Sequence, residues 1–180
     1  MKLAVSYSAM KTLYLLRHAK SSWSEAGLDD RQRPLNKRGT GDAPVMGERL
    51  RARGESIDAV VSSPALRAQT TAELFTRGCS YAGPDIAIAP DLYFLGSGSI
   101  DGVILAQDDR WQALMLVFHN PDITQFANSI DFAFRIDNMP TCGLLRLSCD
   151  IEHWSDWSRE HASVDYFDFP KNDSGSVLRP

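Results

Sequence analysis

Three short runs, residues 13–16, 57–61 and 114–118, are apolar almost without interruption and do not alternate with polar residues. A strand with one face in water alternates; a strand covered on both faces does not, and sheets covered on both faces are built mainly from parallel strands joined by crossover helices. The intervening segments suit that role. Residues 36–54 open with Asn36 as a helix N-cap and stop at Gly54, and residues 64–78 carry Pro64 in the first turn and stop at Gly78. Residues 97–107 and 121–130 supply two further helical periods, and residues 86–89 and 144–147 are weaker strand candidates. The expected architecture is an α/β three-layer sandwich with a mostly parallel central sheet flanked by helices. Pro44 predicts a kink or a short leading turn in the first helix.

At 180 residues, one domain spanning 1–180 is expected, with residues 1–10 as an N-terminal extension (Met1 or Met10 being the start) and residues 171–180 as a loose tail. No segment approaches the ~20 consecutive apolar residues of a membrane span. Three cysteines without C-x-x-C spacing argue against a disulfide framework and a zinc ribbon, which suits a cytoplasmic protein. A net charge of −4 gives no overall field for nucleic acid or anionic membrane, so any attraction for phosphate must be local.

Local it is. Each strong strand runs directly into a cationic or potentially cationic group: Arg17 and His18 after the first, Arg67 shortly after the second, His119 after the third. In a parallel sheet these positions share the carboxyl edge, where open α/β folds bind ligands. Taken singly, Arg17 could be a strand-end salt bridge and His119 a satisfied core imidazole; jointly they converge on one cleft. His153 and His161 lack metal-ligand spacing and read as packing and surface. No metal and no cofactor is expected.

The blocks LLRHAKSSW, RPLNKRG, SSPALRAQTTAE, LVFHNPDI and MPTCGLLRL, in this order, resemble the histidine phosphatase superfamily, and within it the SixA-type phosphohistidine phosphatase branch. The resemblance implies a phosphoglycerate mutase-like fold and a covalent phosphohistidine intermediate on His18. It implies that Arg17 and Arg67 bind the phosphoryl oxygens and that His119 is the second histidine bonded to that group. A guanidinium suits this role because it can grip two oxygens at once. Ser22 and Asn36 are further candidates for phosphate contact, although Asn36 also reads as a helix cap. Ser62 and Ser63 either end a strand or orient Arg67, and Arg33 and Arg38 are either solvated or guard the cleft mouth.

Two positions depart from the family pattern. Ala19 stands where the wider superfamily has glycine, a replacement that the SixA-like branch tolerates. Phe118 stands where glycine would let backbone approach phosphate, so its ring either points away or narrows the pocket. Larger members also use a glutamate as general acid; the candidate here is Asp91, for which capping is the commoner job. Imidazole leaves phosphohistidine without much help from an acid. The expected activity is metal-independent removal of phosphate from a histidine-phosphorylated signalling or phosphotransfer protein. The alternatives are a phosphomonoesterase acting on a small phosphorylated molecule and a non-catalytic phosphate- or phosphohistidine-binding module. Nothing in the sequence fixes the oligomeric state.

Overall fold

The computed structural model describes residues 10–24 and 27–172, so nearly all of the expected N-terminal extension and most of the expected tail lie outside the described residues. Six strands form one sheet in the order β3-β2-β4-β1-β5-β6. They are β1 (Lys11–Arg17), β2 (Ala59–Ser62), β3 (Ala87–Ile88), β4 (Ala113–Phe118), β5 (Leu144–Cys149) and β6 (Ala162–Asp168). β1 to β4 pair in parallel; β5 runs antiparallel to β1, and β6 antiparallel to β5. The helices are α1 (Lys37–Ala52), α2 (Leu66–Gly78), α3 (Ser97–Leu105) and α4 (Asp122–Asn128). This is the expected α/β sandwich.

Alternate residues of the central strands enter two separate cores. Leu13, Leu15, Leu114, Leu116 and Phe118 pack with α3 and α4 and with Trp154, whereas Tyr14, Leu16, Met115 and Val117 pack with α1 and α2. That is why the runs do not alternate: both faces are dry, and each buried Leu contributes roughly 1.5–3 kcal/mol. At the amino end of β1, fully buried Lys11 is held by the carbonyls of Asp109 and Trp111 at 2.9 and 3.0 Å, with its ammonium over the Trp154 ring.

Helix α1 runs unbroken through Pro44, without the leading turn allowed for above. Tertiary packing holds that turn. α1 and α2 approach so closely that a Cβ on Gly47 would lie 2.1 Å from the Phe75 carbonyl oxygen, and one on Gly78 2.2 Å from that of Pro44. β6 was not anticipated. Asp168 at its end, almost fully buried, forms ion pairs with Arg49 and Arg53 and so ties this edge to α1. The three cysteines are free thiols. Among the described residues no helix is long and apolar enough to cross a membrane.

Candidate active site

β1, β4 and β2 are adjacent and parallel, and they end level: Arg17 pairs with Phe118, and Ser62 with Val117. The ladder continues one step further, His18 N–H donating to the Phe118 carbonyl at 3.0 Å and Ser63 N–H to that of Val117 at 2.9 Å. This places the two histidine rings 5.0 Å apart, tilted by 51°.

The His18 ring is only 8% exposed, and its Nδ1 lies 2.7 Å from the Ala19 carbonyl oxygen. A carbonyl can only accept, so Nδ1 carries the proton and the neutral ring keeps its lone pair on Nε2. Burial pushes the His18 pKa down to about 3; the Ala19 hydrogen bond opposes this, and the charges of Arg67, Arg17 and Arg33 reinforce it. His18 is therefore an uncharged imidazole at neutral pH. Burial likewise lowers His119, helped by His18 and Arg67. His119 Nε2 is 2.7 Å from Ser63 Oγ, while its Nδ1 is buried without a hydrogen-bond partner among the described residues. Tyr93 and Phe94 close over the same ring at centroid distances of 5.5 and 4.9 Å.

Arg67, near the start of α2, is 2% exposed. Its Nη2 donates to Asp30 Oδ2 at 2.8 Å, and its Nη1 to the Asp30 main-chain oxygen. The same carboxylate accepts from Arg33 Nη1 at 2.9 Å and from the Tyr93 hydroxyl at 2.7 Å. Burial alone would raise the Asp30 pKa, but the hydrogen bonds from Tyr93, Arg67 and Arg33 outweigh it and hold the carboxyl well below its usual range. Asp29 caps the short turn that presents Asp30, its side chain accepting from Arg31 N–H at 2.8 Å. Arg33 is itself buried, bonded to Ser21 Oγ at 2.7 Å and lying against exposed Trp23. Arg17 Nη1 donates to the Met139 carbonyl, and its Nε is buried without a hydrogen-bond partner among the described residues.

The structure thus gathers His18, His119, Arg17 and Arg67, brings in Arg33 rather than leaving it solvated, and adds Asp30 and Tyr93, which the sequence did not single out. The available signal was the spacing of Asp30 and Arg33 in DDRQR, three apart like their 2.9 Å ion pair. Other candidates lie elsewhere. The Ser22 hydroxyl pairs with Ser24 at 2.7 Å while its main-chain carbonyl accepts from Arg33 Nε at 3.2 Å, so Ser21 is the serine whose side chain joins the arginine network. Asn36 caps α1 through Gly39 N–H at 2.9 Å. Asp91 is exposed in a single 3-10 turn, where its main-chain carbonyl accepts from Ser99 Oγ. Ser63 serves His119 rather than Arg67. The Phe118 ring, 1% exposed, belongs to the core and does not narrow the cleft. Arg38 is exposed, whereas Arg33 is not.

A neutral imidazole with a free Nε2 lone pair, beside guanidinium groups, is equipped to add to phosphorus while the cations take up oxygen charge. Among the described residues no group of three or more His, Cys, Asp or Glu side chains is placed to hold a metal ion.

Comparison with known proteins gives a consistent picture. The family model of the histidine phosphatase superfamily (branch 1) matches residues 13–124. An uncharacterized protein of Mycobacterium tuberculosis is 30% identical over 167 residues, 87% of this chain and 100% of that protein. The crystal structure of SixA from Agrobacterium tumefaciens superimposes with a TM-score of 0.72 at 28% identity, covering 87% of this chain and 96% of the other. The protein histidine phosphatase SixA complexed with tungstate gives a TM-score of 0.75 at 19% identity, covering 91% and 99% of the two chains.

Proposed function

Because this chain belongs to the histidine phosphatase superfamily, whose membership supports a phosphatase activity, we propose that it removes phosphate from phosphohistidine in a partner protein, through His18. The His18 Nε2 lone pair attacks phosphorus; the bond from phosphorus to the substrate imidazole breaks, and its electron pair stays on that nitrogen, which takes a proton from solvent. Water then attacks the phosphorylated His18, the P–Nε2 bond breaks with its electrons returning to Nε2, and inorganic phosphate leaves as the water proton is released. Arg17 and Arg67 neutralise the oxygens, and His119 offers a donor to the same group.

The observation that carries the substrate class is the state of Asp30. This carboxylate is joined to the arginine cluster and is held ionised by Arg67, Arg33 and Tyr93, so it has no proton to give an alkoxide. A substrate whose leaving group departs unaided fits such a site; phosphohistidine does, phosphoserine does not. The test is a comparison of kcat/KM for a phosphohistidine protein, p-nitrophenyl phosphate, phosphoserine and a sugar phosphate. The alkyl esters should lag by the ~100 to 10,000-fold that general acid catalysis supplies. Equal rates on alkyl esters would replace this proposal with a small-molecule phosphomonoesterase.

A further inference from the structure

A cavity of about 500 Å³ borders Arg17 and is also lined by Lys20, Arg38 and Lys171, with Asp42 the only carboxylate among its described lining residues. Four cations against one carboxylate is a local excess in a chain whose net charge is −4. The fold brings them together from three places. Arg17 ends β1 and Lys20 follows it; a Cβ on Gly39 would lie 2.3 Å from the Lys20 carbonyl oxygen, so the start of α1 is pressed onto that loop and Arg38 comes with it. Lys171 arrives just beyond β6.

This arrangement conflicts with local electrostatics. Lys37 and Arg38 open α1, whose first turn contains no acidic residue, although the positive end of the helix dipole disfavours cations there. Arg38 is only loosely engaged, 3.3 Å from Thr141 Oγ1 and 3.6 Å from Asp42. Arg17 keeps a buried Nε without a partner among the described residues, and such a donor is costly to leave unmet. Clustered repulsion of this kind is relieved by an anion.

We propose that this cavity receives the carboxylate-bearing side chain of an acidic residue flanking the phosphohistidine of the partner protein. The proposal rests on the phosphohistidine reading above. The cavity is far larger than one oxyanion needs, and Pro140, Phe169 and Pro170 supply apolar wall for a methylene stem. Because the Arg17 charge acts on the His18 ring, a group bound against Arg17 lies close in the substrate to the phosphoryl group under attack. The enzyme then reads an acidic neighbour as well as the phosphate.

The test uses the full chain and two phosphohistidine peptides, identical except that the residues flanking the phosphohistidine are glutamate in one and glutamine in the other. The glutamate peptide should have the higher kcat/KM by about tenfold, mostly through KM. That preference should fall toward unity in the double variant Arg38→Gln/Lys171→Gln, and in Lys20→Gln made separately. Equal turnover of both peptides by the wild type overturns the inference and leaves the phosphohistidine reading intact. A preference that survives in both variants overturns it too, by moving recognition to another surface. If neither peptide is hydrolysed while p-nitrophenyl phosphate is, the phosphohistidine reading fails and this inference with it.

Discussion

Asp30→Asn removes one charge from the centre of the arginine network while keeping the side chain's shape. In the wild type that carboxylate accepts from Arg67 at 2.8 Å, from Arg33 at 2.9 Å and from the Tyr93 hydroxyl at 2.7 Å. An amide oxygen can still meet one guanidinium, but the amide NH2 then faces a second donor. A buried hydrogen bond to a charged group contributes ~1.5–3 kcal/mol. The Asp30 side chain is 42% exposed, so solvent screening brings each bond down to about 1 kcal/mol. Losing one to two of them costs about 1–2 kcal/mol of Arg67 positioning, a roughly 5- to 30-fold fall in kcat. The same change leaves Arg67 less neutralised, which favours oxyanion binding, so KM should move by less than about threefold. Steady-state hydrolysis of p-nitrophenyl phosphate at neutral pH reads both constants. A kcat within twofold of wild type would show that Asp30 does not set Arg67. A loss as deep as that of Arg67→Ala would place Asp30 on the phosphoryl group itself.

Nitrogen NMR of the His18 ring should show a neutral imidazole protonated at Nδ1 down to about pH 4, since its pKa is held at about 3; a titration midpoint near 6.5 would refute this. Both site histidines have folded-state pKa values below their unfolded ones, so the unfolded chain binds more protons below about pH 6.5, and the melting temperature should fall with pH through that window. Phe118→Ala should lower stability by ~3–5 kcal/mol in urea denaturation and Phe118→Leu by less than about 1.5 kcal/mol; an unchanged midpoint for the alanine variant would put the ring outside the core. Asp91→Asn should leave phosphohistidine turnover within about twofold of wild type, and a loss above ~100-fold would make Asp91 the general acid.

What the sequence makes legible is what depends on chain-local pattern. Leu13, Leu15 and Leu16 are fully buried, and an unbroken apolar run is what such burial on two faces requires. Arg17 is the last residue of β1, His18 and His119 lie immediately past the ends of β1 and β4, and Arg67 is in the first turn of α2, so placing the strands also places them. β6 was harder. Its Val164 and Tyr166 are buried on an edge strand interrupted by exposed or half-exposed positions, a weaker signal than a dry run. Asp30 was hidden for a different reason: its bonds to Arg67 and Tyr93 span 37 and 63 positions, and only the folded chain reveals them. The direction of the Phe118 ring required the register of β4 against β1, and the choice between Ser21 and Ser22 required the path of the loop that follows.

The central claim is that His18 carries the phosphoryl group, and rapid-quench trapping of the phosphoenzyme tests it most directly. Wild-type protein mixed with a labelled phosphohistidine protein and quenched in alkali should yield an alkali-stable, acid-labile phosphate on the chain, which peptide mapping locates on the segment containing His18. His119→Ala should still form it, turning over ~100 to 1,000-fold more slowly, and His18→Ala should form none. Recovery of the same labelled species from His18→Ala, or its mapping to another residue in the wild type, would contradict the account.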